Sequence, residues 1–538
     1  MLTAWIMGYD ADVCDYVTLG QAYDPQCNYL PLRFIAALFG TLTVPLLYSA
    51  TRILGVGRWG AILTTVLFIF DMLNLIESRL ILMDSQLMFW LTLCLLVGVM
   101  YIRRKQEHAA AEAVVMQAAE LGMPLATAEA ALPQAVVVAG QTGVSRAGGD
   151  DDVFDHGSDM LLGGIASYGA FPRQYLLSVL QGGKRVRNPH ASPEAAQAAA
   201  AAGGALDSIS ADTVQLEVAP WPCTLAAPRL LSRADNALWC AFLGLACGCA
   251  VSVKWTGLGT PGLIALECWL GLFFLAEPVA FLDMLVMLAT AFVFYLGNYW
   301  VHFNLLPNTG DGDAFMRVEF QRTLVGNENY DANAPHPGFI RVFFQLAWEM
   351  LSGNARIDQR HNWESTWDQW IFNQRGVLYH SNTTEPIRGR TESVYLIGNP
   401  AVIWLVAAVV GVTILYLFAH YRCRTVRMVA KSSLFRGNGP ALSMIAYCLV
   451  GYFCNLLPYL SVSRSCFAYH YMPALLYGEI LAGIMLERLF GKRLRAALVV
   501  QYITSAVFLV FVFFAPWIYS LPLSAEGHEQ RRWLKTWN

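Results

Sequence analysis

Charged residues are scarce in this chain of 538 residues. Asp, Glu, Lys and Arg make up 14% of it, against roughly a quarter in ordinary globular proteins. The apolar fraction is 56%, the mean hydropathy is +0.43, and the formal net charge is -3. These values exclude a disordered protein, a secreted disulfide scaffold and a nucleic-acid binder, because each of those classes is rich in charge or in cysteine. The apolar residues occur in long runs, which predicts a polytopic membrane protein.

Pairs of cysteines with zinc-ligand spacing are missing too, and no other cluster has the spacing of a metal site. Most of the 12 cysteines fall in apolar runs, which favours simple packing. Cys14 and Cys27 lie close together in a polar stretch and could pair if that side of the membrane is oxidising. The first residues, MLTAWIMGYDADVCDY, lack a basic region and a sustained apolar core, so we expect no signal peptide.

Ten apolar runs are long enough to cross a bilayer, for which about 20 residues are needed. Runs of this length form helices, because lipid offers no hydrogen-bond partner to an unpaired backbone. The predicted spans are 33–52, 58–76, 80–102, 237–256, 257–276, 279–301, 398–419, 440–460, 470–489 and 496–518.

Basic clusters orient these spans, since Lys and Arg are enriched on the cytoplasmic side. The clusters at 103–105, 422–436 and 492–495 all fall on one face, which we predict to be cytoplasmic. Both termini and residues 302–397 then lie on the opposite, luminal face. The sequon at Asn382 lies there, as luminal glycosylation requires. Arg531, Arg532 and Lys535 disagree with this orientation, because they would be luminal as well.

Five regions follow from this pattern. Residues 1–105 form a three-span membrane region, and 106–235 form a low-complexity cytoplasmic insertion rich in Ala and Gly. Residues 236–301 form a second three-span region, and 398–538 form a C-terminal four-span region. Between them, 302–397 form a luminal region rich in Trp, His, Arg, Asn and Asp, a composition that favours a functional loop.

Charges at the ends of spans are few and therefore informative. Arg79 and Asp84 lie at the start of the third span and could form a structural ion pair. Alternatively, Arg79 binds an anionic headgroup, because a guanidinium group suits phosphate. Lys254 at the end of the fourth span either snorkels to the interface or supplies a second phosphate contact.

The luminal region carries further candidates. His302 leaves the membrane after an aromatic run, and Asp313 follows in a Gly-rich turn that could bind a polyol or a cation but is also common as a plain turn. The segment HNWESTWDQWIFNQRG and the start of the ninth span supply the remaining candidates: His361, Ser365, Trp367, Arg375 and His470. In the segment HNWESTWDQWIFNQRG, the spacing of Trp363, Trp367 and Trp370 predicts that they lie on one face of an interfacial helix. These tryptophans either anchor the helix in the membrane or stack on a sugar.

At least four separate segments thus deliver Arg, His, Asp and Trp to one membrane face. A transporter would concentrate charge in broken helices near mid-membrane, and rings typical of channels are missing. A reaction between a lipid-borne phosphorylated donor and a luminal acceptor fits the distribution better.

Several segments, in chain order, resemble the protein O-mannosyltransferases. The matching motifs are MGYDADV, LRFIAALFGTLTVPLLY, ESRLILMDSQLMFW, GCAVSVKWTGL, VHFNLLPNTGDGDAFMRVEFQRTL, HNWESTWDQW, VYLIGNPAVIW and SRSCFAYHYMPALL. The resemblance covers about four-fifths of the chain, outside the insertion.

The resemblance implies an all-α polytopic membrane protein of the GT-C type with about ten transmembrane helices and a luminal loop region. It implies transfer of mannose from dolichyl phosphate mannose to Ser or Thr hydroxyl groups in the endoplasmic reticulum, with no cofactor beyond this donor. It also implies a homodimer or a heterodimer with another family member. By the same resemblance Arg79 and Lys254 would contact the donor phosphate. The positioning residues would be Asp84, His302, Asp313, His361, Ser365, Trp367, Arg375 and His470.

Two family features have no counterpart here. The family's catalytic Asp-Glu pair and first span precede the motif MGYDADV, whereas six residues precede it in this chain. A β-trefoil MIR domain would not fit in the roughly forty residues before HNWES. We therefore expect either an N-terminally truncated enzyme or an inactive pairing subunit. A related glycosyltransferase that uses another polyprenyl-phosphate sugar is the third possibility.

Overall fold

The computed structural model describes residues 7–9, 13–14, 24–120, 233–275, 277–310, 312–356, 360–387, 389–422, 439–491 and 493–537. Most of the predicted insertion, and most of the basic cluster at 422–436, lie outside these residues. The described part is mainly helical, as predicted. Its helices are α1 (Leu30–Leu54), α2 (Arg58–Phe70), α3 (Met72–Arg79), α4 (Asp84–Glu120), α5 (Arg233–Val253), α6 (Gly259–Leu270), α7 (Phe281–Leu305), α8 (Val318–Gln321), α9 (Phe339–Arg356), α10 (Trp367–Ile371), α11 (Pro400–Arg422), α12 (Gly439–Leu456), α13 (Met472–Phe490), α14 (Arg493–Tyr519) and α15 (Ala525–Arg531).

Seven of the described helices are long and apolar enough to cross a membrane, and the bent pair α2–α3 makes an eighth span. Two of the ten predicted spans do not meet this test. Helix α6 has 12 residues, fewer than a full crossing needs. Helix α13 has 19 residues but carries three charges, and all its residues from Met472 to Leu486 are buried. It is a central helix surrounded by protein, which explains how it tolerates the charges.

The central helix α13 packs against α2, α11 and α12. At its contact with α2, a Cβ atom on Gly60 would lie 2.5 Å from the carbonyl oxygen of Gly483, so the two backbones approach closely. The carboxylate of Glu487 accepts hydrogen bonds from the backbone N–H groups of Gly57, at 2.7 Å, and Gly60, at 3.0 Å. It thereby caps the N-terminus of α2, whose own N-cap residue supplies no side chain.

Helices α5 and α7 form a second close pair. A Cβ atom on Gly244 would lie 2.2 Å from the backbone oxygen of Met287, and one on Gly248 would lie 2.8 Å from that of Ala291. Small residues permit this approach, as is common between membrane helices. The most apolar stretch of α7 has no buried residue, so the rest of its surface faces outward.

Asp71 separates α2 from α3, whose axes meet at 52°. Its carboxylate accepts hydrogen bonds from the backbone N–H of Asn74, at 3.3 Å, and from the side-chain amide of the same residue, at 3.1 Å. The backbone N–H of Asn399 donates to the other carboxylate oxygen at 3.4 Å. An N-cap residue therefore starts a new helix in the middle of the predicted second span.

Residues 302–397 add one antiparallel hairpin, of strands β1 (Val377–Ile387) and β2 (Arg390–Leu396), to the otherwise helical described chain. A bridge between Thr391 and Leu523 joins the hairpin to the residues after α14. The C-terminal residues therefore lie at the same end of the molecule as 302–397, as the predicted orientation requires. Arg531 donates to the carbonyl oxygens of Phe513 and Gly527, at 2.8 and 2.7 Å, which gives one of the three discordant basic residues partners within the protein.

Cys14 and Cys27 form a disulfide, which was one of the possibilities raised by their proximity in the sequence. The free cysteines of the described residues are buried or half-buried, in agreement with a packing role.

Candidate functional site

Arg79 ends α3 and is tied to the end of α14. Its guanidinium group donates to the carbonyl oxygen of Ile518 and lies 4.5 Å from the centroid of the Tyr519 ring. Of the two alternatives for Arg79, the structural ion pair with Asp84 is therefore wrong. Arg79 and Asp84 are close in sequence because only four residues separate α3 from α4. The contacts of Arg79 are nevertheless with Ile518 and Tyr519 on the last span.

Asp84 pairs instead with Lys254, which is 170 residues away. The Lys254 ammonium group lies 2.6 and 2.8 Å from the two carboxylate oxygens and 5.3 Å from the centroid of the Tyr469 ring. Lys254 has an extended backbone at the break between α5 and the next 3-10 turn, and this break turns its side chain toward α4. The simple snorkelling interpretation of Lys254 is thus wrong, because its charge is held by a carboxylate that is 6% exposed.

Glu77 is a member of this cluster for which the sequence suggested no role. It is fully buried, and its carboxylate accepts a hydrogen bond of 2.6 Å from the hydroxyl of Tyr379 on β1. Its second oxygen has no hydrogen-bond partner among the described residues. The motif ESRLILMDSQ contains Glu77 and so drew attention to it. Its hydrogen-bond partner Tyr379 is about 300 residues away in sequence, so the local sequence could not predict this contact.

The segment that contains His361 and Ser365 docks on residues 463–470. The backbone N–H of Ser365 donates to the carbonyl oxygen of Cys466 at 2.8 Å, and that of His361 donates to the hydroxyl of Ser465 at 3.1 Å. The same hydroxyl donates to Glu364 at 2.7 Å. This hydrogen bond, with a smaller contribution from the N–H of His361, holds the pKa of Glu364 below its ordinary value of 4.5.

Trp370 links this segment to His470. Its indole N–H donates to the hydroxyl of Ser365 at 2.8 Å, and its ring is stacked on the His470 imidazole with centroids 6.1 Å apart. Trp370 is 2% exposed and His470 is 8% exposed. The predicted interfacial helix bearing three tryptophans is therefore wrong: the helix comprises five residues, Trp363 precedes it, and Trp370 points into the protein.

A cavity of about 380 Å³ lies over this segment. Arg375 borders it, donates to the carbonyl oxygen of Asn362 and lies 5.9 Å from the centroid of the Trp363 ring. Polar and charged side chains dominate the wall. The lining includes Arg360, His361, Glu364, Ser365, Trp367, Trp370, Arg375, Tyr459 and Arg464. Four of the predicted site residues thus share one polar cavity.

His302 and Asp313 line a different cavity, of about 800 Å³, between the end of α7 and α9. Asp313 accepts hydrogen bonds from the hydroxyl of Thr309 and, at 2.9 Å, from the side-chain amide of Asn327. Partial burial raises the pKa of Asp313, but these hydrogen bonds outweigh that effect and leave it below the ordinary value of 3.8. Within the described residues, no group of three or more His, Cys, Asp or Glu side chains could hold a metal ion.

The predicted residues therefore fall into three groups. Arg79, Asp84 and Lys254 lie where helices end. The polar cavity is connected to the pair of Asp84 and Lys254 through Tyr469 and His470, whose ring centroids are 4.5 Å apart, whereas Arg79 lies against α14. The cavity of His302 and Asp313 stands apart. Asn382 lies on β1 opposite Glu392. A cation held beside an acid and an aromatic ring, and linked to a polar cavity, can bind a phosphate and orient a polar group beside it.

Two family models match the chain. The model of the dolichyl-phosphate-mannose-protein mannosyltransferases matches residues 1–127, and the model of the C-terminal four-span region of protein O-mannosyltransferases matches residues 339–537. Together they cover more than half of the chain.

Curated proteins and a solved structure are similar as well. Dolichyl-phosphate-mannose--protein mannosyltransferase 1 of Saccharomyces cerevisiae is 27% identical over 210 residues, which are 37% of this chain and 24% of that protein. Protein O-mannosyl-transferase 1 of Mus musculus is 30% identical over 178 residues, 31% of this chain and 22% of that protein. The matched segments thus span about a quarter of these relatives. The S. cerevisiae Pmt1-Pmt2 complex bound to the sugar donor has the same fold, with a TM-score of 0.66 at 16% identity, over 100% of this chain and 85% of that one.

Proposed function

Because the chain belongs to the protein O-mannosyltransferase family, we propose that it transfers mannose from dolichyl phosphate mannose to Ser and Thr hydroxyl groups of proteins. The chain is a multi-pass membrane protein. We place it in the endoplasmic reticulum membrane, with residues 302–397 and the C-terminal residues in the lumen.

One observation carries this proposal: two cationic side chains from separate spans lie at helix ends, and one of them, Lys254, is linked through Tyr469 and His470 to a polar cavity. The guanidinium group of Arg79 and the ammonium group of Lys254 are both partly exposed, and each lies against a tyrosine ring. A lipid phosphate needs cations at the level where the bilayer ends, and its sugar needs polar groups just beyond that level.

We assign the donor phosphate to Arg79 and Lys254. Asp84 holds the Lys254 ammonium group in place through its two short contacts, so that the cation is oriented before a phosphate arrives. Once transfer begins, these cations would stabilise the negative charge that develops on the departing phosphate.

We assign the orientation of the sugar and the acceptor to the polar cavity. His361, Trp367 and Arg375 border it directly. Ser365 contributes by fixing Trp370, which in turn stacks on His470. His302 and Asp313, in the separate cavity, would contact a more distant part of donor or acceptor.

We also propose that the chain works in a dimer with a family member, since the solved structure it resembles is a complex of two such chains. Asn382 is proposed as an N-glycosylation acceptor, because the sequon lies in the luminal hairpin.

The test uses membranes from cells that lack their own protein O-mannosyltransferases and express the full chain, alone and with another family member. Labelled dolichyl phosphate mannose and a Ser/Thr-rich peptide are supplied, and transfer of label to the peptide is measured. We expect transfer to this peptide and none to a version with Ala in place of Ser and Thr. Absence of transfer from folded protein under both expression conditions would contradict the proposal. Transfer from dolichyl phosphate glucose, without transfer from dolichyl phosphate mannose, would show that the donor sugar is glucose and not mannose.

The role of Arg79 is tested by Arg79→Ala, which should lower the transfer rate about a hundredfold, because an oriented donor to a developing oxyanion is lost. Arg58→Ala is the matched control. Arg58 lies at the opposite end of the same bent span, is exposed and stacks on Trp59, 5.6 Å from the ring centroid. An Arg79→Ala protein that is folded and transfers at the rate of the control would remove Arg79 from the phosphate site.

A further inference from the structure

Helix α9 carries an exposed apolar stripe. Ile340, Phe344, Trp348 and Leu351 are 55%, 61%, 67% and 56% exposed, respectively. Spacings of four, four and three residues place these side chains within roughly 80° of one another around the helix. Exposed apolar groups of this size, arranged contiguously, mark a surface that contacts something other than water.

A second face of α9, about 100° around the helix from the stripe, is also apolar and packs against α7. The ring centroid of Phe343 lies 6.1 Å from that of Tyr295 and 5.2 Å from that of Tyr299. The hydroxyl of Tyr299 is 3.7 Å from the sulfur of Met350. Packing inside the protein therefore accounts for one face of α9 and leaves more than half of each stripe side chain exposed.

These contacts fix the depth of α9. Tyr295 and Tyr299 belong to the membrane span α7, which ends at Leu305. Tyr295 lies ten residues before this end, or about 15 Å along the helix axis. Because α9 packs on residues inside this span, it lies beside the C-terminal half of α7 and not beyond the end of α7.

The surface beside α9 faces lipid as well. The most apolar stretch of α7 has no buried residue, and Phe292, Trp300 and Leu305 are 49%, 55% and 63% exposed. The span on which α9 packs therefore also exposes large apolar side chains. Trp348, with an apolar body and a polar N–H, belongs to the residue type enriched where acyl chains meet headgroups.

The charged side chains of α9 lie on the side of the stripe away from the face that packs on α7. Arg341 is exposed and lies 3.5 Å from Glu319, and Arg356 pairs with Glu349. Such a polar edge beside an apolar stripe is the pattern of a helix that lies in the interface plane.

We propose that Phe339–Arg356 is an interfacial membrane helix whose stripe is immersed in lipid at the headgroup–acyl boundary. Leu346 and Met350 of the same helix line the cavity that contains His302 and Asp313. Immersion of α9 therefore holds this cavity at the bilayer surface, where an amphiphilic ligand reaches it without leaving the membrane. The inference concerns membrane contact and stands apart from the transfer of mannose.

The test measures lipid contact at two stripe positions in the full chain, reconstituted in phosphatidylcholine vesicles. Phe344→Cys and Trp348→Cys are labelled with an environment-sensitive dye, and Asn333→Cys on the exposed loop before α9 is the matched control. Labelling of the unsubstituted chain gives the background from native cysteines. We expect lipid bearing a shallow spin label to quench the dye at 344 and 348 and to spare it at 333. Aqueous iodide should do the reverse.

Two results would overturn the proposal. Quenching by iodide at 344 and 348, as at 333, would place the stripe in water. Protection from both quenchers would mean that protein covers it, either a second copy or a partner subunit. If Trp348→Cys does not fold, Leu351→Cys keeps the test intact, because that residue lies on the same stripe and is smaller.

Discussion

Asp84 and Lys254 form the ion pair on which the proposed phosphate site depends. The sequence indicated both residues, because charges at span ends are rare. It could not indicate their pairing, since the nearest cation to Asp84 in sequence is Arg79, whereas the cation that binds it belongs to another span. Local spacing favours neighbours along a helix, and only the packing of α4 on α5 decides between the candidates.

Removal of one partner from this pair should be costly. Lys254→Met leaves Asp84 as a nearly buried carboxylate without its cation, so the free energy of unfolding should fall by about 3–5 kcal/mol. Chemical unfolding in detergent micelles measures the loss. The double variant Lys254→Met/Asp84→Leu should lose clearly less than the sum of the two single variants. A simple sum would show that the two groups are not coupled.

Glu364 allows a prediction for pH. Its pKa is below the ordinary value of 4.5 because of the hydrogen bond from Ser465. An acid with a lowered pKa stabilises the folded state above its unfolded pKa and ceases to do so as pH falls through the folded pKa. The docking of residues 361–366 should therefore be unchanged from pH 8 to pH 5 and should loosen at pH below about 4.5.

Hydrogen exchange at the amide of Ser365, which donates to Cys466, reports this loosening. In Glu364→Gln the exchange rate, corrected for its intrinsic pH dependence, should no longer rise at low pH. A rise that persists in this variant would assign the effect to another group.

Among the elements, the helices of the membrane region were the most predictable, because long apolar runs have few alternatives in lipid. The position of the interfacial helix could not be predicted from the sequence. Tryptophans at spacings of four and three suggested it near residue 367, but Trp370 is needed inside to contact Ser365 and His470. Helix α9 has the exposed stripe instead. In the sequence, the spacing of its phenylalanines and leucines is the same as that expected for a buried helix, so exposure could not be predicted.

The pairing of α5 with α7 rests on glycine. Gly244→Ala would place a Cβ atom 2.2 Å from a backbone oxygen of α7, so the helices must separate, at a cost of about 1–3 kcal/mol. Gly297→Ala is the matched control on α7, because nothing lies within 4 Å of the point where its Cβ atom would be. That change should be neutral or stabilising by up to about 1 kcal/mol, since Ala favours helix. Thermal unfolding in lipid nanodiscs compares the two, and equal effects would contradict this packing argument.

At the scale of the whole molecule, the C-terminal residues return to the site. Trp537 is 1% exposed, and its indole N–H donates to the carbonyl oxygen of Asn373 at 2.7 Å. The charge pattern alone argued against a luminal C-terminus because of Arg531 and its neighbours. The sequence did not predict that Trp537 would form a hydrogen bond with Asn373, in the segment between α10 and the hairpin.

Trp537→Ala should therefore cost about 3–5 kcal/mol, typical of a buried aromatic side chain, and expose residues 367–376 to protease. Trp533→Ala is the control, because Trp533 belongs to the same C-terminal segment but is 43% exposed. Its effect should be smaller and should leave residues 367–376 protected. Limited proteolysis followed by mass spectrometry identifies the cleavage sites, and equal cleavage in the two variants would contradict a specific tie through Trp537.

The bend at Asp71 determines the position of Arg79, which lies at the far end of α3. Helix α3 has 8 residues, or about 12 Å of length, and meets α2 at 52°. A straight continuation of α2 would displace the far end of α3 by roughly 10 Å, and Arg79 would miss the last span. The side chain that starts α3 thus determines, from the other end of that helix, whether Arg79 reaches the last span.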